Sequence, residues 1–503
     1  MKKGSQLHPA IRETFLYGTG TLIAQVISAL RGVLIASILG PATYGLWKSV
    51  QVAYDWLAYT HFGILHGMAR EIPILRKAGD TRSESSVRRI GLKAAVVTSI
   101  AAGLLLILFT WKKGEVPWTV WIGIALLLLP TQLFRFVHMI CLAEGRFGVL
   151  SLANLALAFS SLLFMWLLTP TYGIYGVIGG LGLGYVLSLV LAGARGIFRV
   201  GVLEAMESVP LKSLVTAGFS FMAVDGLFVF WQRLDRLALI PFYGAESEAL
   251  GFYGLATMVA AFGIQIPQVF TRVLFRRTVP VFDPSNQTTG SDLRKHLKAP
   301  ALLVASLSPL LFSLGTVSSW GMIAWLLPAY SQLTGSQTSG CEESIAILLW
   351  ACAACSVGLS FRNIYTGVNR QWRLAAIYLV SCAATVLPPM LLLGKGSEPD
   401  DIRIAAWGMA LGSFLFAVLA AVDCGKICGI RPRDILSLVV NATWPLLLYL
   451  GWTYWAIGQL EILREGVLEM GPWTTLILSS LALFTPVALL GLWRIWGEVR
   501  GSE

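Results

Sequence analysis

The sequence predicts an all-α polytopic membrane protein, and three observations support this fold class. Only 13% of the 503 residues are charged, about half the share found in soluble domains. The mean hydropathy is strongly positive, at +0.71. Apolar runs of the ~20 residues that a helix needs to cross a bilayer recur from end to end. Because lipid cannot hydrogen-bond to the backbone, runs of this length predict helices.

The apolar runs predict about fourteen transmembrane helices joined by short loops. They lie at residues 14–39, 46–69, 91–111, 118–142, 147–169, 174–195, 213–241, 250–272, 299–327, 343–367, 373–393, 402–423, 436–458 and 472–494. An even number of spans predicts that both chain ends lie on the same side of the membrane. The loops on the opposite side are short, so we expect any functional site to lie among the helices.

The net charge of +11 has a topological explanation. Lys and Arg concentrate in the loops on the side of the N-terminus, for example at Arg76, Lys77, Arg88 and Arg89, as is typical of cytoplasmic loops. We therefore predict a multi-pass protein of the cell inner (cytoplasmic) membrane with both termini in the cytoplasm and no nucleic-acid partner. The seven cysteines lie mostly within the spans and indicate no disulfide framework. No motif predicts a cofactor or a metal site.

The second span is unusual because ionisable side chains interrupt an apolar and aromatic run. On a continuous helix one polar stripe forms, and its members are Lys48, Gln51, Asp55, Tyr59, Phe62, His66 and Arg70. A carboxylate facing lipid would cost about 3 kcal/mol, so the stripe is expected to face a partner helix or a wet cavity. We predict that it lines a cavity. Salt bridges that only hold the bundle together are the alternative.

Further ionisable residues interrupt the first, fourth and seventh spans: Arg31; Arg135 and His138; Asp225, Arg233, Asp235 and Arg236. Arginine keeps its charge when desolvated and offers a planar fork to phosphate. We predict a cationic cavity that binds a phosphate-bearing ligand. Its candidate residues are Arg31, Lys48, Gln51, Asp55, Tyr59, Arg233 and Arg236. Mutual neutralisation, for instance of Arg31 by Asp55 or of Arg236 by Asp225, is the alternative.

Two other roles are predicted for residues near these charges. Aromatic side chains are expected to stack on sugar rings or to hold an apolar tail, and they are Trp47, Tyr54, Trp56, Tyr59 and Trp231. Titratable residues inside the spans are candidates for coupling to H⁺ or Na⁺. These candidates are Asp55, His61, His66 and Asp225.

A short internal parallel predicts a repeat. Arg31 is followed nine residues later by Gly40 and then by Tyr44-Gly45-Leu46, while Asp235 is followed nine residues later by Gly244 and then by Tyr253-Gly254-Leu255. Such repeats build the midplane cavities of transporters. We predict one six-helix lobe over residues 1–200, a second over 201–430, and two additional helices over 431–503.

The sixth span carries three glycines spaced four residues apart, at Gly176, Gly180 and Gly184. Small residues at this spacing allow two membrane helices to approach closely. We predict helix packing here, with a hinge for lobe movement as the alternative.

Three stretches resemble a known family: GTGTLIAQVISALRGVLIASILGPATYGLWKSVQ, the second span ending in HGMAREIP, and RLDRLALIPFYGAESEALGFYGLATMV. They are similar to the polysaccharide and O-antigen (Wzx-type) flippases of the multidrug/oligosaccharidyl-lipid/polysaccharide (MOP) exporter superfamily. The resemblance implies two six-helix lobes around a cationic cavity and alternating access. It also implies a polyprenyl-pyrophosphate-linked oligosaccharide moved from the cytoplasmic to the outer leaflet, usually with coupling to an ion gradient or membrane potential.

The resemblance implies further properties of the chain. The lipid II flippase also has fourteen spans, and its extra pair forms a lipid-tail groove, a role that would fall to residues 431–503. Membrane lipids and polysaccharide polymerase machinery are expected partners. A monomer is expected, because the cavity would lie within one chain.

Three other functions are weighed. A drug or organic-cation antiporter of the same superfamily would favour an acidic cavity, whereas these spans contribute more arginines than carboxylates. A membrane glycosyltransferase or polymerase needs catalytic groups in an outer loop, and the first such loop, GPATYG, has none. A structural scaffold would leave the clustered titratable residues unexplained. The sequence therefore predicts a transporter and no enzyme.

Overall fold

A computed structural model describes residues 7–111, 116–198, 210–278, 290–331, 341–393, 398–465 and 470–500. Within these ranges the chain is helical and contains no β-strand. Twelve helices in the same ranges are long and apolar enough to cross a membrane. That number treats the first two predicted spans as one helix and does not include the eighth predicted span, residues 250–272. The all-α membrane fold class predicted from the sequence is confirmed.

The helices group into two compact units, Met1–Phe230 and Trp231–Glu503. The first unit contains α1 (Leu7–Leu57), α2 (Ile64–Ala78), α3 (Thr81–Thr110), α4 (Trp118–Glu144), α5 (Phe147–Tyr172), α6 (Ile174–Ala194) and the first part of α7 (Leu211–Tyr243). The second contains the rest of α7, α8 (Glu248–Thr278), α9 (Gly290–Leu326), α10 (Cys341–Ser360), α11 (Arg362–Gly367), α12 (Gln371–Leu392), α13 (Glu398–Ile427), α14 (Pro432–Gly458), α15 (Leu460–Glu465) and α16 (Met470–Arg500). The lobe boundaries predicted from the repeat stay predictions.

The second predicted span is not one continuous helix, so this part of the prediction is wrong. After a kink at Gly40, where φ is 70°, α1 continues to Leu57. The chain then turns over residues 58–63, where Phe62 and Gly63 have φ values of 46° and 82°, and α2 begins at Ile64. The polar stripe from Lys48 to Arg70 is therefore divided between two helices, and its member Phe62 is 60% exposed.

A close crossing with α7 explains this break. A Cβ atom on Gly67 would lie 2.1 Å from the carbonyl oxygen of Leu214, and one on Gly218 would lie 2.0 Å from that of Gly63. Backbones can approach this closely only where no side chain intervenes. The contacts come from a helix far along the sequence, which is why the pattern of the second span does not contain them.

An ion-pair network fixes the end of α2 against α3 and α4. Arg76 Nη2 lies 2.6 Å from Glu84 Oε1 and 3.4 Å from Glu144 Oε1. Arg88 Nη2 lies 2.6 Å from Glu84 Oε1 and also pairs with Glu144. The side chains of Glu84 and Glu144 are only 11% and 5% exposed, so these pairs are screened less by salt than surface pairs. The network holds the helix that carries His66.

The glycines of α6 pack against α5, as predicted. A Cβ atom on Gly176 would lie 2.5 Å from the Leu168 carbonyl, and one on Gly180 would lie 2.7 Å from the backbone nitrogen of Met165. A Cβ atom on Gly184 would lie 2.8 Å from Ser161 Cβ. The packing prediction is confirmed, and it brings the residue after Gly184, a tyrosine, beside the middle of α5.

In the second unit, α10 is the central helix and contacts α8, α9, α13 and α14. In its most apolar stretch of 18 residues, 94% of the residues are buried. The indole of Trp350 donates to the Leu446 carbonyl at 2.8 Å, which joins α10 to α14. The last two predicted spans correspond to α14 and α16, and both pack against α9.

Candidate functional site

Arg31 lies half-buried in the middle of α1 and contacts a hydroxyl group. Its Nη1 donates to Ser161 Oγ of α5 at 2.5 Å, and the hydroxyls of Tyr54 and Tyr185 are its other electrostatic neighbours. Within the described ranges no carboxylate lies within ion-pair distance of Arg31. A cation in an apolar span without an anionic partner is a candidate for binding an anionic ligand.

The hydroxyls beside Arg31 form a connected group across three helices. Tyr54 of α1 shares a 2.6 Å hydrogen bond with Thr131 of α4 and donates to the hydroxyl of Tyr185 of α6 at 3.3 Å. Gly184 permits the approach of α6 that places Tyr185 here. Hydroxyls can both donate and accept, so this group can surround a cation and its anionic ligand alike.

Lys48 and Gln51 lie together on the part of α1 that follows the kink at Gly40. Lys48 Nζ donates to Gln51 Oε1 at 3.3 Å and lies 5.1 Å from the ring centroid of Tyr44. The side chain of Lys48 is only 8% exposed. A cation–π contact stabilises a desolvated ammonium group. Lys48 therefore places a positive charge inside the first unit and not on its surface.

The turn between α1 and α2 is fixed by polar residues of α4. Gln132 Nε2 donates to the carbonyl of Ala58 at 3.0 Å, which satisfies a backbone group freed where α1 ends. The guanidinium of Arg135 lies 4.6 Å from the ring centroid of Tyr59. Asp55, half-buried one turn earlier, lies close enough to Tyr59 to interact electrostatically. The predicted residue Tyr59 thus faces both charges.

The break brings together three of the four titratable residues predicted for ion coupling. His66 Nε2 lies 3.4 Å from Asp225 Oδ2 of α7, and the rings of His61 and His66 are 5.3 Å apart. The backbone N–H of Gly63 donates to His61 Nδ1 at 3.2 Å. In the part of the chain that the structure describes, the buried atoms His61 Nε2 and His66 Nδ1 have no hydrogen-bond partner. Each ring therefore keeps one nitrogen that is able to form a further hydrogen bond.

In the second unit, the predicted residues of α7 surround a buried carboxylate. Asp235 accepts hydrogen bonds from the Tyr253 hydroxyl at 2.6 Å and from the backbone N–H of Arg236 at 2.8 Å. Arg236 is only 2% exposed and donates to the carbonyl of Gln232 at 3.5 Å.

A cavity of about 40 Å³ adjoins this carboxylate, and its polar lining includes Gln232, Arg233, Asp235, Thr257 and Ser413. At ~10–15 Å³ for each water, such a volume holds roughly three water molecules. A sugar or a pyrophosphate does not fit within it.

The prediction that Trp231 contacts sugar rings is wrong. Its side chain is fully buried, its Nε1 donates to Thr385 Oγ1 at 2.8 Å, and its ring lies 5.4 Å from that of Phe416. A buried indole is stable where its N–H finds a partner, and α12 supplies one. Trp231 is a core residue of the second unit.

Comparisons with known proteins give a result at the level of structure. No family model matches the chain, and no curated protein matches its sequence. The inward-facing multidrug resistance MATE family transporter of the MOP superfamily is similar with a TM-score of 0.60 and 14% identity, covering 80% of this chain and 94% of that one. The lipid II flippase MurJ, in an inward closed conformation, is similar with a TM-score of 0.60 and 11% identity, covering 96% of this chain and 99% of that one.

This chain has the fold of the MOP superfamily transporters.

This similarity agrees with the resemblance in fold alone and leaves the branch open. An outward-facing MATE family transporter is also similar, with a TM-score of 0.57 and 13% identity, covering 86% of this chain and 100% of that one. These three neighbours in the MOP fold are transporters and a flippase, and none is an enzyme.

Some residues of this MOP-fold site were missed in the sequence. Ser161, Thr131 and Tyr185 are single hydroxyl residues in apolar spans, and Gln132 is a single amide. Hydroxyls in membrane helices usually bond to their own backbone, so nothing in their spacing indicates a site. The sequence contained one indication for Tyr185: it directly follows Gly184, where close helix packing was predicted.

Proposed function

We propose that this protein is a flippase that moves a polyprenyl-pyrophosphate-linked oligosaccharide from the cytoplasmic to the outer leaflet of the cell inner membrane by alternating access. Both termini lie in the cytoplasm, and the functional unit is a monomer. The observation that carries the proposal is Arg31, a half-buried cation with a serine and tyrosines around it.

The chemistry of Arg31 favours an anionic ligand. Only one of its five N–H donors is used by Ser161, which leaves donors for the paired oxygens of a phosphate. A guanidinium stays charged when desolvated, so an organic cation would be repelled at this position, whereas a pyrophosphate would be attracted. Lys48, on the same helix, adds to this positive field.

The extent of the structural match also favours the flippase branch. The lipid II flippase covers 96% of this chain, whereas the inward-facing drug transporter covers 80%. Residues 431–503 make up more than the remaining 4%, so the match with the flippase includes most of the last two spans. A match that extends over the last two spans favours the flippase over the drug transporter.

The proposal includes coupling to an ion gradient through the cluster at the α1–α2 turn. An imidazole is able to exchange a proton with a neighbouring group, and His66 lies 3.4 Å from the Asp225 carboxylate. A proton bound at this cluster changes the charge next to the crossing of α2 and α7. Asp55 and His61 are further candidates, and Na⁺ is the alternative coupling ion.

A drug or organic-cation antiporter is the second candidate. It is supported by the equal TM-score, 0.60, of the inward-facing multidrug transporter and by the carboxylates of Asp225 and Asp235. The two candidates differ in the sign of the ligand charge. Under the antiporter hypothesis, removing the charge of Arg31 would leave transport intact or improve it.

The test is movement of a labelled polyprenyl-pyrophosphoryl oligosaccharide in proteoliposomes, scored by a quencher that reaches only one leaflet. The wild-type protein is expected to scramble the label between leaflets, and Arg31→Gln to slow this by at least tenfold. The matched control is Arg431→Gln, because the side chain of Arg431 is 74% exposed and its loss leaves Arg31 untouched. No movement for several head groups, together with uptake of an organic cation driven by a proton gradient, would refute the proposal.

A further inference from the structure

A large apolar groove lies on the first unit between α1, α5 and α6. Its volume is about 680 Å³, and its walls include Leu34 of α1, Phe159, Ser160 and Leu163 of α5, and Leu187 and Leu191 of α6. Phe159, Leu163 and Leu187 are 57%, 50% and 42% exposed, so the groove is open to the surroundings.

Arg31 is not a wall residue of this groove, but its neighbours in the chain and its hydrogen-bond partner lie next to wall residues. Its guanidinium donates to Ser161 at 2.5 Å, and the neighbouring residue Ser160 belongs to the wall of the groove. On α1, Leu34 of the wall lies three residues after Arg31, on the same helix face. The apolar groove therefore lies near a half-buried cation that has no carboxylate partner in the described ranges.

We propose that this groove binds the isoprenoid chain of an anionic lipid whose pyrophosphate contacts Arg31. The inference rests on the proposed function and adds the place of the lipid tail, on α1, α5 and α6 rather than on the last two helices. Charge complementarity selects the occupant. A bulk phospholipid offers a single phosphodiester, whereas a polyprenyl pyrophosphate offers two adjacent phosphates to the Arg31 fork.

The packing of α5 and α6 explains why the groove has a fixed shape. Gly180 and Gly184 bring α6 against the backbone of α5, and Ser188 Oγ donates to the Ala153 carbonyl at 2.7 Å. The floor between the two helices is thus rigid, while the larger side chains of Phe159, Leu163 and Leu187 form the rims. A preformed groove lowers the entropy cost of ordering a flexible chain.

The first experiment maps where the chain binds. The full-length protein in phosphatidylethanolamine and phosphatidylglycerol nanodiscs is irradiated with a sugar-free polyprenyl pyrophosphate that carries a diazirine in its tail. Labelled peptides are expected to cover residues 156–166 and 187–191. Excess unlabelled polyprenyl pyrophosphate should remove the label, and excess phosphatidylglycerol should not. Equal competition by both lipids, or labelling confined to α14 and α16, would overturn the proposal.

Paired variants test the groove itself. Leu163→Trp with Leu187→Trp narrows it and should lower labelling roughly fivefold through lost van der Waals contacts. The control is Leu167→Trp with Leu183→Trp, one turn away on the same two helices and similarly exposed, at 54% and 46%, but outside the groove. Equal labelling of both double variants would overturn the proposal. If the first pair fails to fold, the peptide map decides alone.

The contribution of Arg31 is tested with two probes. Arg31→Gln should lower labelling by the pyrophosphate probe and leave labelling by a neutral polyprenol probe unchanged. Equal effects on both probes would refute the assignment of the head group. This experiment does not require flipping: labelling at the groove without leaflet exchange would refute only the proposed function, whereas exchange with labelling elsewhere would refute only the groove.

Discussion

Replacing Gly218 of α7 with alanine should destabilise the first unit, although alanine is the better helix former. The new Cβ atom would lie 2.0 Å from the carbonyl oxygen of Gly63 and 2.3 Å from the backbone nitrogen of Gly67. Both atoms belong to the backbone, so no side-chain rotation relieves the overlap. The two helix backbones must move apart.

The size of the effect follows from this geometry. Helix propensity alone would stabilise the alanine variant by roughly 0.5–1 kcal/mol. Forcing a group into a packed contact costs about 1–3 kcal/mol, and backbone neighbours place this case at the upper end. We expect a net loss of about 2 kcal/mol, together with a longer distance between His66 and Asp225, since these residues flank the crossing.

Thermal unfolding of the purified protein, followed by tryptophan fluorescence, measures the loss. The control is Gly148→Ala in the first turn of α5, where an added Cβ atom meets nothing within 4 Å. The control should unfold at or slightly above the wild-type temperature, and Gly218→Ala several degrees below it. Equal midpoints for the two variants would refute the close crossing and, with it, the explanation of the break at residues 58–63.

Three further predictions concern charged residues of the first unit. Arg31→Lys keeps the charge but removes the planar fork, so equilibrium binding of polyprenyl pyrophosphate should weaken by about tenfold; unchanged binding would show that charge alone suffices. His66→Gln should reduce transport driven by an imposed proton gradient, because it removes the imidazole that lies 3.4 Å from the Asp225 carboxylate; an unchanged response to the gradient would place coupling elsewhere. Asp80 caps α3, and hydrogen bonds from Ser83 lower the pKa of its carboxyl group. Asp80→Ala should therefore slightly lower the thermal midpoint at neutral pH, and the difference from wild type should vanish as the pH falls through that lowered pKa; a difference that persists in acid would contradict this role.

Most of the fold could be predicted because helices in a membrane depend on length and apolarity. The fourth to seventh predicted spans begin and end close to the helices found, as with residues 118–142 against Trp118–Glu144 and 174–195 against Ile174–Ala194. The packing of Gly180 and Gly184 was equally predictable, because small residues at a spacing of four have one common use in membrane helices.

The candidate site was predictable only in part. An arginine or histidine inside an apolar run indicates a site even when its partner is unknown, so Arg31 and His66 were identified. Their partners Ser161 and Asp225 lie on other helices, and no spacing rule connects them. The prediction for Trp231 was wrong for the same reason, because the Thr385 hydroxyl that accepts a hydrogen bond from its indole N–H lies on α12.

The break in the second predicted span, which the sequence did not predict, and the titratable cluster have a common cause. On a continuous helix, five residues correspond to a rotation of roughly 140°, so His61 and His66 would point to different sides of the second span. The turn at Phe62 and Gly63 instead places the two histidines on the same side, with their ring centroids 5.3 Å apart. The close crossing at Gly67 brings Asp225 within 3.4 Å of His66. Local sequence patterns fail most often where structure has been adapted to function. The departure from a regular helix at residues 58–63 therefore supports a functional role for the cluster that it creates.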